Sequence, residues 1–188
     1  MHEYLRLPAV ELAKRVREGS VSPTELLEVH IARIKQVNPS INALVADNFD
    51  EARKRAVEIE ADLKAGRADP NAAFLGVPFT VKELISVRDH PNTAGVVARS
   101  GAIAQEDAPL VERLRAAGGI VLGVTNVAEA GLWLESHNRV YGRTSNPHSL
   151  SRIAGGSSGG EAAIIAAGGS PMGIGADIGG SIRNPAFF

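Results

Sequence analysis

The chain contains no cysteine. Disulfide staples, thiolate metal centres and a cysteine nucleophile are therefore excluded. It also lacks a long uninterrupted apolar run. The longest such stretch, Ala162 to Ile178, is broken by Gly168, Gly169, Pro171 and Asp177 and falls short of a bilayer span. The opening MHEYLRLPAVELAKRV has Glu3 and Glu11 and no apolar core, so a signal peptide is not expected. Surplus positive charge is missing: the formal net charge is −1, whereas binding to nucleic-acid phosphates or anionic lipid needs clustered cations. No histidine pair has zinc spacing, and no carboxylate cluster suggests a metal. The expectation is a cytoplasmic protein with no transmembrane segment, no nucleic-acid partner, no metal and no cofactor.

What is present reads as alternating helices and strands. The 188 residues suffice for one domain with a real core. Ser22-Pro23-Thr24-Glu25 is a capping box with proline at the first helical position. The helix it opens carries Leu26, Leu27, Ile31 and Ile34 at helical spacing and is expected to stop before Asn38-Pro39. A short strand is expected within Ile41–Ala46, a charged helix over Phe49–Ala65, and a strand over Gly76–Val81. Asp107 is expected to cap a helix that Gly118-Gly119 end, followed by a buried strand over Ile120–Val124. Gly160–Ala167 reads as a helix of small residues and Ser170–Ala176 as an extended segment. This order predicts an α/β fold, a helical segment over 1–70 leading into a core over 71–188 with a largely parallel sheet.

Glycine is concentrated around two serines, in Gly155-Gly156-Ser157-Ser158-Gly159-Gly160 and in Gly179-Gly180-Ser181. Glycine permits close backbone approach, which a nucleophilic serine needs if amide N–H groups are to converge on an oxyanion. A tight turn explains one such cluster equally well. Phosphate cradles fail on spacing. No lysine follows either cluster as a P-loop demands, and Ile178 stands where the third glycine of a dinucleotide fingerprint belongs. Only five lysines occur, at 14, 35, 54, 64 and 82. The first four lie in polar helical stretches. Lys82 ends the apolar run Leu75-Gly-Val-Pro-Phe-Thr-Val81. Two readings stand for it: a buried amine made neutral by desolvation, or a strand-end lysine that reaches solvent and pairs with Glu83.

Three segments carry a resemblance. Gly76-Val-Pro-Phe-Thr-Val-Lys82-Glu83, Gly155-Gly-Ser-Ser-Gly-Gly-Glu161 and Asp177-Ile-Gly-Gly-Ser181-Ile-Arg183 resemble successive motifs of the amidase-signature family, as do Ala117–Asn126 and Tyr141–Pro147. Within it, the wording at Lys82-Glu83, Trp133–Ser136 and Asp177-Ile178 is most similar to the fatty acid amide hydrolase type. The resemblance implies an α/β/α sandwich around a mixed, largely parallel sheet, incomplete at its C-terminal side. It implies an amide-hydrolysing enzyme acting on a small-molecule amide through an acyl-enzyme. Lys82 is then the general base, Ser157, in a cis peptide, the proton shuttle, and Ser181 the nucleophile. Backbone N–H groups of Ile178, Gly179, Gly180 and Ser181 form the oxyanion hole, and Ser158, Asp177 and Arg183 buttress the site. Glu83 departs from the aspartate many members carry. The family continues well past the position of Phe188, so residues 1–188 by themselves are expected to be inactive, and either partly disordered or covered in a homo-oligomer.

Rival readings remain. The A component of the amidotransferase that works on charged tRNA shares these motifs, although Ile178 replaces its usual threonine. Gly155-x-Ser157-x-Gly159 fits a nucleophile elbow, but all five histidines, at 2, 30, 90, 137 and 148, precede it and that fold needs a later one. Phe74, Phe79 and Trp133 are expected in core or pocket packing, and His90, His137 and His148 at the surface.

Overall fold

The sheet forms because two apolar runs are long enough to be buried on both faces. A computed structural model describes residues 2–188. In chain order its elements are α1 (Ala9–Arg17), α2 (Pro23–Ile41), β1 (Leu44–Asp47), α3 (Phe49–Lys64), β2 (Pro78–Lys82), α4 (Pro109–Ala116), β3 (Ile120–Thr125), the short strands β4 (His137–Asn138), β5 (Gly142–Arg143), β6 (Ser145–Asn146) and β7 (Ser149–Ile153), α5 (Gly159–Ala166), β8 (Gly173–Ile174) and α6 (Arg183–Phe187). The main sheet has the order β1-β3-β2-β8. Only the β1–β3 pairing is antiparallel; β2 runs parallel to both β3 and β8. This is the mixed, mostly parallel sheet expected of the α/β class.

Every residue of β2 and of β3 is buried, as parallel strands covered on both faces require. Phe79, Val81, Val121 and Val124 pack with Val111 of α4 on one face. Ile120 and Leu122 face the larger cluster built from α1, α2, α3 and α5. Strand alternation then directs Thr80 and Lys82 away from the Phe79–Val81 face and toward α5.

Several boundaries differ from the sequence reading for identifiable reasons. The Ser22 hydroxyl accepts the Glu25 N–H at 3.1 Å, one half of the capping box. The helix does not stop at Asn38-Pro39; α2 runs through Pro39 to Ile41. Pro39 lies at an exposed position in the last turn, where the carbonyl it leaves free belongs to exposed Lys35. The actual stop is Asn42 in the left-handed region, with Asn38 Oδ1 accepting from Ala43 and Leu44 at 2.8 Å each. Asp107 does not cap α4, which starts at Pro109 after Ala108. Its carboxylate accepts the Arg88 N–H at 2.8 Å and pairs with Arg115 at 2.8 Å, tying α4 to the loop after β2. The extended segment at Ser170–Ala176 contributes only two strand residues. His90 is buried with Nδ1 2.9 Å from the Arg88 carbonyl, and is not a surface residue.

His30 on α2 is fully buried. Its Nδ1 lies 3.2 Å from the Gly169 carbonyl, an acceptor only, so the proton sits on Nδ1 and Nε2 is left without a partner. Burial lowers its pKa from 6.5 to about 4, against the raising effect of the Gly169 and Gly168 backbone. The folded state therefore holds His30 neutral while the unfolded chain protonates below 6.5. The stability this confers is complete above pH 6.5 and is lost as pH falls toward 4. Between pH 6.5 and 5 the loss from this residue alone is about 2 kcal/mol. Denaturant midpoints across that interval check it: His30→Gln should flatten the pH dependence.

Candidate active site

Lys82 is the last residue of β2 and 1% exposed. Its Nζ donates to Ser157 Oγ at 2.7 Å and to the Ala176 carbonyl at 3.4 Å. Desolvation lowers its pKa from 10.5 to about 8, against the opposing charges of Asp177 and Glu161. Relative to an ordinary lysine this raises the neutral fraction at pH 7 roughly 300-fold. Glu83 does not pair with Lys82. It is buried on its own network, accepting the Thr93 N–H at 2.6 Å, the Thr93 hydroxyl at 2.7 Å, the Tyr141 hydroxyl at 2.7 Å and the Ala94 N–H at 2.8 Å. Burial pushes the Tyr141 phenol up to about 12.

Ser157 follows a cis Gly156–Ser157 peptide bond and is buried, as is Ser158 at the start of α5. Gly156 has no alternative: a Cβ there would lie 2.6 Å from the Trp133 carbonyl and 2.7 Å from the Glu135 nitrogen. The backbone of residues 133–135 thus lies directly on this peptide. The Trp133 ring points out and is 68% exposed, between exposed Leu132 and Leu134, so it is neither core nor enclosed-pocket packing.

Asp177 organises the second serine loop. It accepts N–H groups from Gly180 at 2.7 Å, Ile182 at 2.9 Å and Arg183 at 3.0 Å, and its carboxylate meets the Arg183 guanidinium through two bonds at 3.1 and 2.9 Å. Arg183 foremost, with these N–H groups, holds the Asp177 carboxyl far below the usual carboxylate range. Of the four N–H groups assigned to an oxyanion hole, Gly180 thus donates to Asp177. Those of Ile178, Gly179 and Ser181 have no acceptor among the described residues. Ser181 is half-buried. Its carbonyl accepts the Ser158 N–H at 3.0 Å, while its hydroxyl makes no hydrogen bond among the described residues. The fold therefore joins Lys82 to Ser157 by side chains and Ser158 to Ser181 by backbone. An apolar trough of about 390 Å³ opens beside Ser158, between Ala162 and Ile165 of α5 and Ile182, Pro185 and Phe188.

The family model described as "Amidase" matches residues 25–188. The chain belongs to the amidase family. Fatty-acid amide hydrolase 2-A of Danio rerio is 46% identical over 98% of the chain and 36% of its own length. An acylamidase of Rhodococcus erythropolis is 42% identical over 96% of the chain and 37% of its own length. Among solved structures, a fatty acid amide hydrolase superposes with a TM-score of 0.93 at 32% identity, over 97% of the chain and 32% of that protein. The chain spans about a third of the length of these amidase-family relatives.

Other residues around this amidase-family site escaped the sequence reading. The Ser136 hydroxyl donates to the Ser157 carbonyl at 3.2 Å and accepts the Gly159 N–H at 2.7 Å, clamping both sides of Ser157-Ser158. Glu161 sits in the first turn of α5, buried, with Thr80 and Thr125 hydroxyls each 2.8 Å from its carboxyl. Neither announces itself in sequence, because a serine in a loop and a glutamate in a helix are ordinarily solvated. The available signal for Glu161 was that every other residue of α5 is glycine or apolar. No helix of the described residues is long and apolar enough to cross a membrane.

Proposed function

We propose that this chain carries the acyl-transfer centre of a serine amidase, with Ser181 as nucleophile, Ser157 as proton shuttle and Lys82 as general base. The observation that carries the reading is the buried 2.7 Å contact between Lys82 Nζ and Ser157 Oγ, made by a lysine whose pKa burial lowers to about 8. Neutral Lys82 takes the Ser157 proton while Ser157 takes that of Ser181. Ser181 Oγ bonds to the amide carbon, and the oxyanion is held by N–H groups of the 178–181 loop, with Asp177, Arg183 and Ser158 fixing the loop's shape. Collapse breaks the C–N bond as the proton returns from Lys82 through Ser157 to the leaving nitrogen. Water then releases the acyl group by the reverse relay. The acyl group we propose is aliphatic, as in a fatty-acid amide, because exposed Leu132, Trp133, Leu134 and Ile178 give an apolar border on this side of the molecule. Residues 1–188 alone do not turn over on this reading: the free edge of two-residue β8 leaves the second serine loop without the supporting shell catalysis needs.

Ser157→Ala separates a shuttle from a structural serine. In a polypeptide of the relatives' full length, kcat should fall more for an amide than for an ester of the same acyl group, since an amine leaves poorly unprotonated whereas an alkoxide does not. Steady-state rates on the matched pair check this, and equal losses would sink the shuttle.

A further inference from the structure

Glu161 is buried in the layer between α5 and the sheet, where an ionised carboxyl is costly without partners. Three neighbouring strands of the main sheet are shaped around it. Thr80 of β2 donates its hydroxyl to Oε2 at 2.8 Å, and Thr125 of β3 donates its hydroxyl to Oε1 at 2.8 Å. Gly173 of β8 lacks a Cβ at a spot that Glu161 Oε2 occupies. All three contacts lie within two residues of Lys82 along the sheet. Thr80 is two residues before it on the same face of the same strand. Thr125 is its cross-strand partner in register, and Gly173 pairs with Thr80.

The surrounding charges leave Glu161 with one counterpart. The elements packed against α5 bring Lys82 on β2, His30 and Arg33 on α2, and Arg183 with its partner Asp177 at the C-terminal helix. Arg33 Nε donates to the Ala167 carbonyl at 2.7 Å, His30 is held on Gly169, and Arg183 closes on Asp177. Of these groups, Lys82 lowers the proton affinity of Glu161, and Lys82 in turn feels both Asp177 and Glu161. Asp177 is already neutralised by a guanidinium; Glu161 is not.

We propose that Glu161 is a positioning residue for Lys82, tying together the strand that carries the base and the strand beside it and supplying its unshared buried counter-charge. Burial pushes the Glu161 carboxyl up to about 7, with the Thr80 and Thr125 hydroxyls and Lys82 opposing. The two hydroxyls and Lys82 thus favour its ionised form, and that charge in turn raises the proton affinity of Lys82. Without that charge, desolvation would drive Lys82 to a lower proton affinity and make it a weaker base.

The inference rests on Lys82 acting as the base, and the test separates the two. Lysine side chains in the full-length protein are labelled at Cε and Nζ, and Lys82→Met identifies the Lys82 resonance. In NMR titration Lys82 should have its midpoint near pH 8, and in Glu161→Gln about one pH unit lower. Thr125→Val, which keeps the carboxyl but removes one donor to its ionised form, should move the midpoint the same way by less; it carries the test if Glu161→Gln does not fold. The acid limb of kcat/KM should move with the midpoint. An NMR shift with an unmoved kinetic limb would support the role of Glu161 while removing Lys82 from the mechanism. An unchanged Lys82 midpoint in the folded variants, or an upward shift in Glu161→Gln, overturns the inference.

Discussion

Ser181→Ala, in a polypeptide of the relatives' full length, should lower kcat for amide hydrolysis by about 10⁴-fold or more while leaving the thermal midpoint little changed. Nothing else in the site can replace the lost oxygen as nucleophile without rearrangement. Ser157 Oγ is held on Lys82, and Ser158 Oγ lies 3.3 Å from the Ala176 carbonyl, which accepts its proton. The cost to stability is small because the Ser181 hydroxyl makes no hydrogen bond among the described residues and its tie to Ser158 is through the backbone. Covalent labelling by a fluorophosphonate reads the same question independently of turnover. The wild type should label at Ser181 and the variant should not. Labelling that moved to Ser157 in the wild type would reassign the nucleophile.

Lys82→Ala is the second large effect, and its signature is pH dependence. A base works in its unprotonated form, so the wild-type rate should climb with pH through about 8, the value to which burial lowers Lys82, and level off above it. Removing the amine deletes this limb. The loss should approach that of Ser181→Ala at pH 7 and shrink as pH rises, because hydroxide takes over the proton that Ser157 must shed. The variant also leaves a void behind one of the largest fully buried side chains, so its thermal midpoint must be measured alongside. A fall in rate at pH 7 with no recovery by pH 10 in a folded variant would mean that Lys82 holds the structure and not the proton. Wild-type rates at pH 7 would remove it from the reaction altogether.

The sheet was legible because its signal is local. A run such as Ile120–Val124 between Gly118-Gly119 and a polar loop has few other ways to bury its side chains. The helix ends were less so. Pro39 reads as a stop, yet its exposed place in a last turn makes the missing bond cheap, and Asn38 and Asn42 form the real end through contacts spread over six residues. Asp107 reads as a cap, but a side chain that has Arg88 and Arg115 within reach is used to join two elements. Trp133 reads as packing because an aromatic residue is usually covered. Here its backbone lies against Gly156 while the residue itself stays largely exposed.

By itself the sequence pointed to the fold class and the family and marked Lys82, Ser157 and Ser181 as candidates, since residue type, order and spacing are one-dimensional properties. Whether Lys82 met Ser157 or Glu83 was open until the tertiary structure decided it. Strand alternation after Phe79 turns Lys82 toward α5, and four donors from the Thr93–Ala94 turn and Tyr141 hold Glu83 elsewhere. The same is true of Glu161. One charged residue in a helix of glycine, alanine and isoleucine is only an oddity in sequence, and becomes the neighbour of Lys82 when three strands, distant in the chain, close around its carboxyl. Proton affinities belong to this second class, because desolvation and charge proximity exist only once the chain has folded.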